Sequence, residues 1–216
     1  MLSAALGQPG APLSILCLGA HCDDIEIGAG GAVMRLLAER PGSTVHWAAM
    51  SSTPEREREA RAAATEMLSG AARADIVINT FRDGYVGYEP AAAKDFFEAT
   101  KKTVKPDVIF THHRHDRHQD HRLVAELTWN TWRNHLVLEY EIPKYEGDLG
   151  HPSLYVPLSA ATARRKIDVI LRSFPSQAGR SWFRAETFEA ILRLRGIECN
   201  APEGFAEAFH ATKWVI

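Results

Sequence analysis

The chain has 216 residues, 45% of them hydrophobic and 24% charged, with a formal net charge of −2 at pH 7. That balance belongs to a soluble globular protein and offers no basic excess for nucleic acid. Three cysteines, Cys17, Cys22 and Cys199, are too few and too scattered for a disulfide framework. Met1 to Pro12 lacks the positive start and the continuous apolar core of a secretory leader. No stretch approaches the ~18 apolar residues of a membrane span, so a cytoplasmic protein without a membrane span is expected.

Taken in chain order, Ser14 to Ala20 is a short apolar run that reads as a buried strand. From Ala29 apolar residues recur at helical spacing (Ala29, Ala32, Val33, Leu36, Leu37) until Pro41-Gly42 breaks the pattern. Thr44 to Met50 is a second strand, Glu55 to Leu68 a second helix, Ile76 to Ile78 a short third strand and Ala91 to Val104 a third helix. Asp107 to Thr111 is a fourth strand, Gln119 to about Asn134 a helix, and Leu136 to Ile142 a fifth strand closed by Pro143. After Gly147 the pattern is less regular, with helices at about Ala160 to Ser173 and Ala185 to Leu194. Alternation of this kind predicts an α/β fold with a doubly wound, Rossmann-like, mostly parallel sheet, whose order by fold class is about 3-2-1-4-5, and an irregular C-terminal α/β elaboration. Nothing marks a linker, so residues 1–216 read as one domain.

Two polar clusters stand where strands end. One is Ala20-His21-Cys22-Asp23-Asp24; the other runs from His112 to His121 (HHRHDRHQDH). In the predicted strand order the first and fourth strands are neighbours at the switch point, where ligands bind outside carboxyl ends of strands. Imidazoles and carboxylates together suit zinc or another borderline divalent ion. Such an ion lowers the pKa of a water from about 15.7 toward ~7, and a carboxylate outside the ligand set can take the water's proton. Two adjacent carboxylates in the first cluster offer one for each job.

These residues resemble the LmbE-like (PIG-L) deacetylases, whose A-H-P-D-D motif after a strand and later H-x-D-H motif opening a helix read here as Ala20-His21-Cys22-Asp23-Asp24 and His118-Gln119-Asp120-His121. Ile25 to Gly31, Asp83-Gly84, Tyr140 to Pro143, and Ser176-Gln177 with Arg180 continue the likeness over nearly the whole chain. The resemblance implies His21, Asp24 and His121 as metal ligands and Asp23 as general base. It implies His118 as the histidine assisting at the oxyanion and leaving group, with Asp120 tuning its charge. One zinc per chain is implied, with iron(II) or cobalt(II) able to take the same donors. The implied activity is removal of an acetyl group from an N-acetylated sugar or sugar conjugate, a small-molecule partner. Arg56 and Arg180 are candidates for substrate contacts, with structural ion pairing the competing reading. Cys22 departs from the family, standing where the commonest motif has proline. Oligomerisation is left open, a homo-oligomer included.

Other readings compete. Asp-Asp before a helix can be a simple N-cap. His112, His113 and His115 exceed what one metal requires, so packing or solvent is their expected place. Asp116 and Arg117 can face substrate or pair with each other. Trp47, Trp129 and Trp132 read as core; Trp182 and Phe183 read as buried, with stacking on a sugar ring the alternative. The HRHDRH run from His113 to His118 is similar to the motif of metallo-β-lactamase-like hydrolases, a fold built on antiparallel strands. A non-catalytic metal-binding relative and a nucleotide-binding oxidoreductase complete the set, the last opposed by the absence of G-x-G-x-x-G after the first strand.

Overall fold

The computed structural model describes residues 6–214. Part of the segment read as lacking a leader, residues 1–5, lies outside the described residues. The expected alternation appears as β1 (Ser14–Gly19), α1 (Asp24–Glu39), β2 (Thr44–Ser51), α2 (Pro54–Met67), β3 (Arg73–Phe81), α3 (Pro90–Thr103), β4 (Val108–His112), α4 (Gln119–Thr131) and β5 (Leu136–Tyr140). The later part adds β6 (Leu154–Leu158), α5 (Ala160–Ser173), α6 (Ala185–Glu198) and β7 (Phe205–His210). One sheet joins all seven strands in the order β3-β2-β1-β4-β5-β7-β6. The first five are parallel; β7 pairs antiparallel with β5 and with β6.

The period-2 pattern of β1 explains the layers. Ile15 and Cys17 enter one core with Ala29 of α1, Ala60 of α2, Ile167 of α5 and Phe188 of α6. Leu16 and Leu18 enter the other with Ala93 and Phe97 of α3 and Val124 of α4. A strand covered on both faces carries an unbroken apolar run, as this one does.

Three elements differ from the sequence expectation, each for a physical reason. Helix α1 starts at Asp24, a turn and more before Ala29, and is buried along nearly its whole length, so its first turns show no polar face to read. Its glycines permit that approach: a Cβ on Gly28 would lie 2.2 Å from the Tyr140 ring. Strand β3 is longer than Ile76–Ile78, and its polar start is explained by its place at the sheet edge. Strands β6 and β7 fall in the C-terminal α/β elaboration, for which the sequence expectation gave no strand bounds. Pro157 interrupts the strand pattern of β6, which lies at the opposite edge where proline is tolerated. Glu207 interrupts that of β7, where it is buried and paired with Lys166 at 2.5 Å. No helix among the described residues is long and apolar enough to cross a membrane.

Candidate metal centre

Strands β1 and β4 lie side by side in the middle of the sheet, so the turns leaving their carboxyl ends face each other. The first turn delivers His21, Asp23 and Asp24. Asp23 occupies the N-cap position of α1, yet its side chain makes no capping hydrogen bond. The carboxylate is therefore available for other work. The second turn ends at α4, whose N-cap is His118: its Nδ1 accepts from the Asp120 amide at 3.3 Å. That bond leaves the proton on Nε2.

Donor atoms of three residues converge between the turns. His21 Nδ1 lies 3.0 Å from His121 Nε2 and 3.2 Å from Asp24 Oδ2, and His121 Nε2 lies 3.5 Å from Asp24 Oδ1. Ligands about 2.0–2.1 Å from a tetrahedral zinc stand roughly 3.3 Å apart, so this triangle fits a metal of that size. Overlapping sets, His21 with His118 and His121, Asp24 with His112 and His121, and His21 with Asp83 and Asp120, each keep their donor atoms within 4.8 Å of one another.

The outer contacts aim these donors. Asp116 Oδ2 accepts from His121 Nδ1 at 2.9 Å, which turns Nε2 toward the centre. Lys144 Nζ binds the same Asp116 oxygen at 2.9 Å, and the His118 amide binds Oδ1 at 2.7 Å. His21 Nε2 faces Asp83 Oδ1 at 3.2 Å and Asp120 Oδ2 at 3.5 Å. Asp24 Oδ2 accepts from the His21 amide at 2.6 Å and lies 3.0 Å from His112 Nε2.

Burial then sets the charges. It opposes ionisation of Asp24, but His121, His112 and His21 outweigh it and hold the carboxyl well below the usual range. Burial lifts Asp23 above that range, with the Arg56 guanidinium pulling it partly back. Burial also pushes His121 down to about 3, keeping the ring neutral as a ligand must be. His118 is lowered by burial and by His21, so it stands as a neutral Nε2–H donor. At His21 burial opposes the charge, but Asp24, Asp120 and Asp83 raise its pKa well above the ordinary value, so this ring has to give up a proton when an ion takes Nδ1.

All six residues expected at the centre are thus brought together, though Asp120 sits differently. Its carboxylate accepts from the Gly84 amide at 2.9 Å and the Gly87 amide at 3.4 Å and faces His21; it acts on the His118 ring through space, favouring its charged form against burial and His21. Arg56 reaches the centre through Asp23, with Nη2 2.7 Å from Oδ1. Arg180 is exposed and its Nε donates to Gln177 Oε1 at 2.8 Å. Phe183 is buried against Phe188, with Trp182 packed beside it.

Sequence reasoning under-read three residues. His112, expected as packing, is fully buried at the end of β4, stacked 3.8 Å from the His121 ring. Its signal is a histidine closing an apolar central strand at its carboxyl end, inside the strand and ahead of the loop that carries the other histidines. Asp116 is buried and tied to His121 and Lys144, and the Arg117 amide goes to Asp148. Asp83 belongs to the mouth of the site. The metallo-β-lactamase alternative loses its basis: the sheet is mostly parallel, His113 Nδ1 turns to Glu139 at 2.8 Å, and His115 is exposed.

Comparisons place this geometry among known proteins. No curated protein sequence matches the chain. The conserved protein TT1542 of Thermus thermophilus aligns with a TM-score of 0.76 at 22% identity, covering 94% of this chain and 96% of that one. The N,N'-diacetylchitobiose deacetylase of Pyrococcus horikoshii aligns at 0.68 and 18% identity, covering 95% and 84%. The 4-carboxy-2-hydroxymuconate hydratase of Pseudomonas putida KT2440 aligns at 0.75 and 17% identity, covering 94% and 97%. At these identities the likeness shows the fold. The family model described as PIG-L, GlcNAc-PI de-N-acetylase, matches residues 16–132, which carry both clusters, and the chain belongs to that family.

Proposed function

We propose that this protein is a zinc-dependent hydrolase that removes the acetyl group from an N-acetylated sugar or sugar conjugate, working as a single cytoplasmic domain over residues 1–216. The observation that carries the reading is the convergence of His21 Nδ1, His121 Nε2 and Asp24 within 3.5 Å, beside a carboxylate not used for capping, in a PIG-L chain. His21, Asp24 and His121 would hold the ion. A bound divalent ion supplies a Lewis acid that activates water and polarises an acyl carbonyl.

The chain's own residues do the rest. Asp23 takes a proton from the attacking water as the hydroxyl oxygen joins the acyl carbon. His118 donates its Nε2–H toward the oxygen that gains charge. Cleavage of the C–N bond then requires a proton on the amine, which Asp23 returns, leaving acetate and a free amino sugar. Asp120 holds the loop bearing Asp83 against the mouth, where the exposed Asp83 carboxylate can meet sugar hydroxyls.

Metal content measured together with acetate release from a panel of N-acetylated amino sugars tests the proposal. About one zinc per chain with acetate released is the expected result. Bound zinc without acetate points to a non-catalytic relative. Failure to bind metal even after reconstitution sinks the reading. Asp23→Asn should keep the zinc and lose about 10²–10⁴-fold in turnover. The hydratase that shares the fold supplies a second reading, water addition to a C=C bond; turnover of an unsaturated diacid without acetate release from any amide would favour it.

A further inference from the structure

Asp23 and Asp24 are adjacent, both nearly buried carboxylates. Asp24 is surrounded by His21, His112 and His121. Among the described residues Asp23 is paired with a single cation, Arg56, at 2.7 Å between Oδ1 and Nη2. Arg56 is itself fixed from three directions. Its Nη1 donates to Glu59 Oε2 and to Ser176 Oγ, both at 3.2 Å, and its guanidinium lies 5.2 Å from the Phe174 ring centroid. Glu59 is fixed in turn, accepting from the Ser176 amide at 2.9 Å and from Ser176 Oγ at 2.6 Å.

We infer that Arg56 acts on the reaction through Asp23, as a positioning residue, and not as a ligand of the substrate. Both Nη1 protons are given to α2 and to the turn after α5, and Nη2 is given to Asp23. The planar fork is what allows one side chain to bridge these partners; a lysine offers one point charge in its place. Held by Oδ1, Asp23 keeps one rotamer, and Oδ2, which takes no part in the pair, is left for proton transfer. A general base must be within hydrogen-bond reach of the proton it takes, so a carboxylate free to turn loses rate rather than substrate affinity. The relay also ties Ser176, beyond residues 16–132 of the family match, to a base inside it.

This inference rests on the proposed deacetylase reading. Its test is steady-state kinetics of Arg56→Met, Arg56→Lys and Glu59→Gln, with Arg56→Met also made in an Asp23→Asn background. For Arg56→Met, kcat should fall about tenfold or more with KM within about twofold and zinc content unchanged. Arg56→Lys should recover part of the loss and Glu59→Gln should show a milder form of it. In the Asp23→Asn background Arg56→Met should cost nothing further in kcat, and urea unfolding of the wild type, the two single variants and the double variant should show coupling between the two sites. A rise in KM with kcat kept makes Arg56 a substrate ligand and overturns the inference. Additive losses, or unfolding without coupling, overturn it as well. A wild-type chain that binds zinc yet releases no acetate overturns the proposed function and this inference together. An active wild type with a KM effect alone overturns only the inference. Should Arg56→Met fail to fold, Arg56→Lys and Glu59→Gln carry the same partition of kcat from KM.

Discussion

His121 and His113 begin alike. Each gives its Nδ1 proton to a buried carboxylate, His121 to Asp116 at 2.9 Å and His113 to Glu139 at 2.8 Å. The difference lies on the other side of the ring. His121 Nε2 faces His21 Nδ1 and Asp24 within 3.5 Å. His113 stacks on His210 at 3.8 Å and meets His115 edge-on, and neither supplies a converging donor. A carboxylate behind an imidazole fixes its tautomer, but only convergence of the remaining lone pairs makes a metal site. Within one histidine-rich run, the two rings separate a candidate ligand from a structural histidine.

The largest effect should come from removing the ring that converges. His121→Ala should abolish stoichiometric zinc and, with it, acetate release, whereas His113→Ala should keep both. Metal analysis of the two proteins side by side checks this. Zinc lost from both, or from His113→Ala alone, would break the comparison and return the HRHDRH run to consideration.

Behind the rings the carboxylates should separate in the same way. Asp116→Asn removes the charged acceptor that orients His121 and leaves Lys144 with Asp148 alone, so zinc affinity should fall about 10–100-fold by chelator competition. Glu139→Gln should leave zinc affinity unchanged and reduce stability instead. At Glu139 burial opposes the charge, but hydrogen bonds from His113, Arg114 and Trp129 outweigh it and bring the pKa to about 2 from an ordinary 4.5. A depressed carboxyl stabilises the fold fully above the unfolded value. That contribution, about 3 kcal/mol, is lost as pH falls from about 4.5 toward 2. Urea unfolding at several pH values should therefore show the wild type and Glu139→Gln apart near neutrality and closing in acid. A gap independent of pH would remove the charge from the explanation.

The comparison also marks how far the sequence could be read. Strand ends were legible because an apolar run that stops at a polar cluster has few other meanings, and the strand order assumed for a doubly wound fold then put the first and fourth strands together. His21, Asp24 and His121 could be singled out on motif spacing. His112 could not, since a histidine at the end of a buried strand looks the same whether it packs or binds. Asp116 and its Lys144 partner are far apart in sequence, and only the folded chain joins them. The antiparallel strands β6 and β7 stayed hidden because Pro157 and the buried Glu207–Lys166 pair interrupt the pattern that reveals a strand. Arg56 stands out in sequence for its position near a helix start, but its partner Asp23 lies in another turn.

The smallest effect should come from the residue that departs from the family motif. Cys22 is buried between His21 and Asp23, and its Sγ donates to the Ser51 carbonyl at 3.3 Å, away from the donor triangle. Burial pushes its thiol up to about 12, so it is protonated at neutral pH, and a thiol ligates metal as the thiolate. Cys22→Ala should then leave zinc affinity within about twofold and cost about 1 kcal/mol or less in stability, the loss of a weak donor and a small apolar group. The sharper reading comes from cobalt(II), whose spectrum reports a thiolate ligand. Substituted into the wild type, it should show no sulfur-to-metal charge-transfer band, because the proposed donors are two imidazoles and a carboxylate. A band that disappears in Cys22→Ala would put the sulfur in the donor set. Asp24 would then have to share its place with the one residue of the motif that this chain has changed.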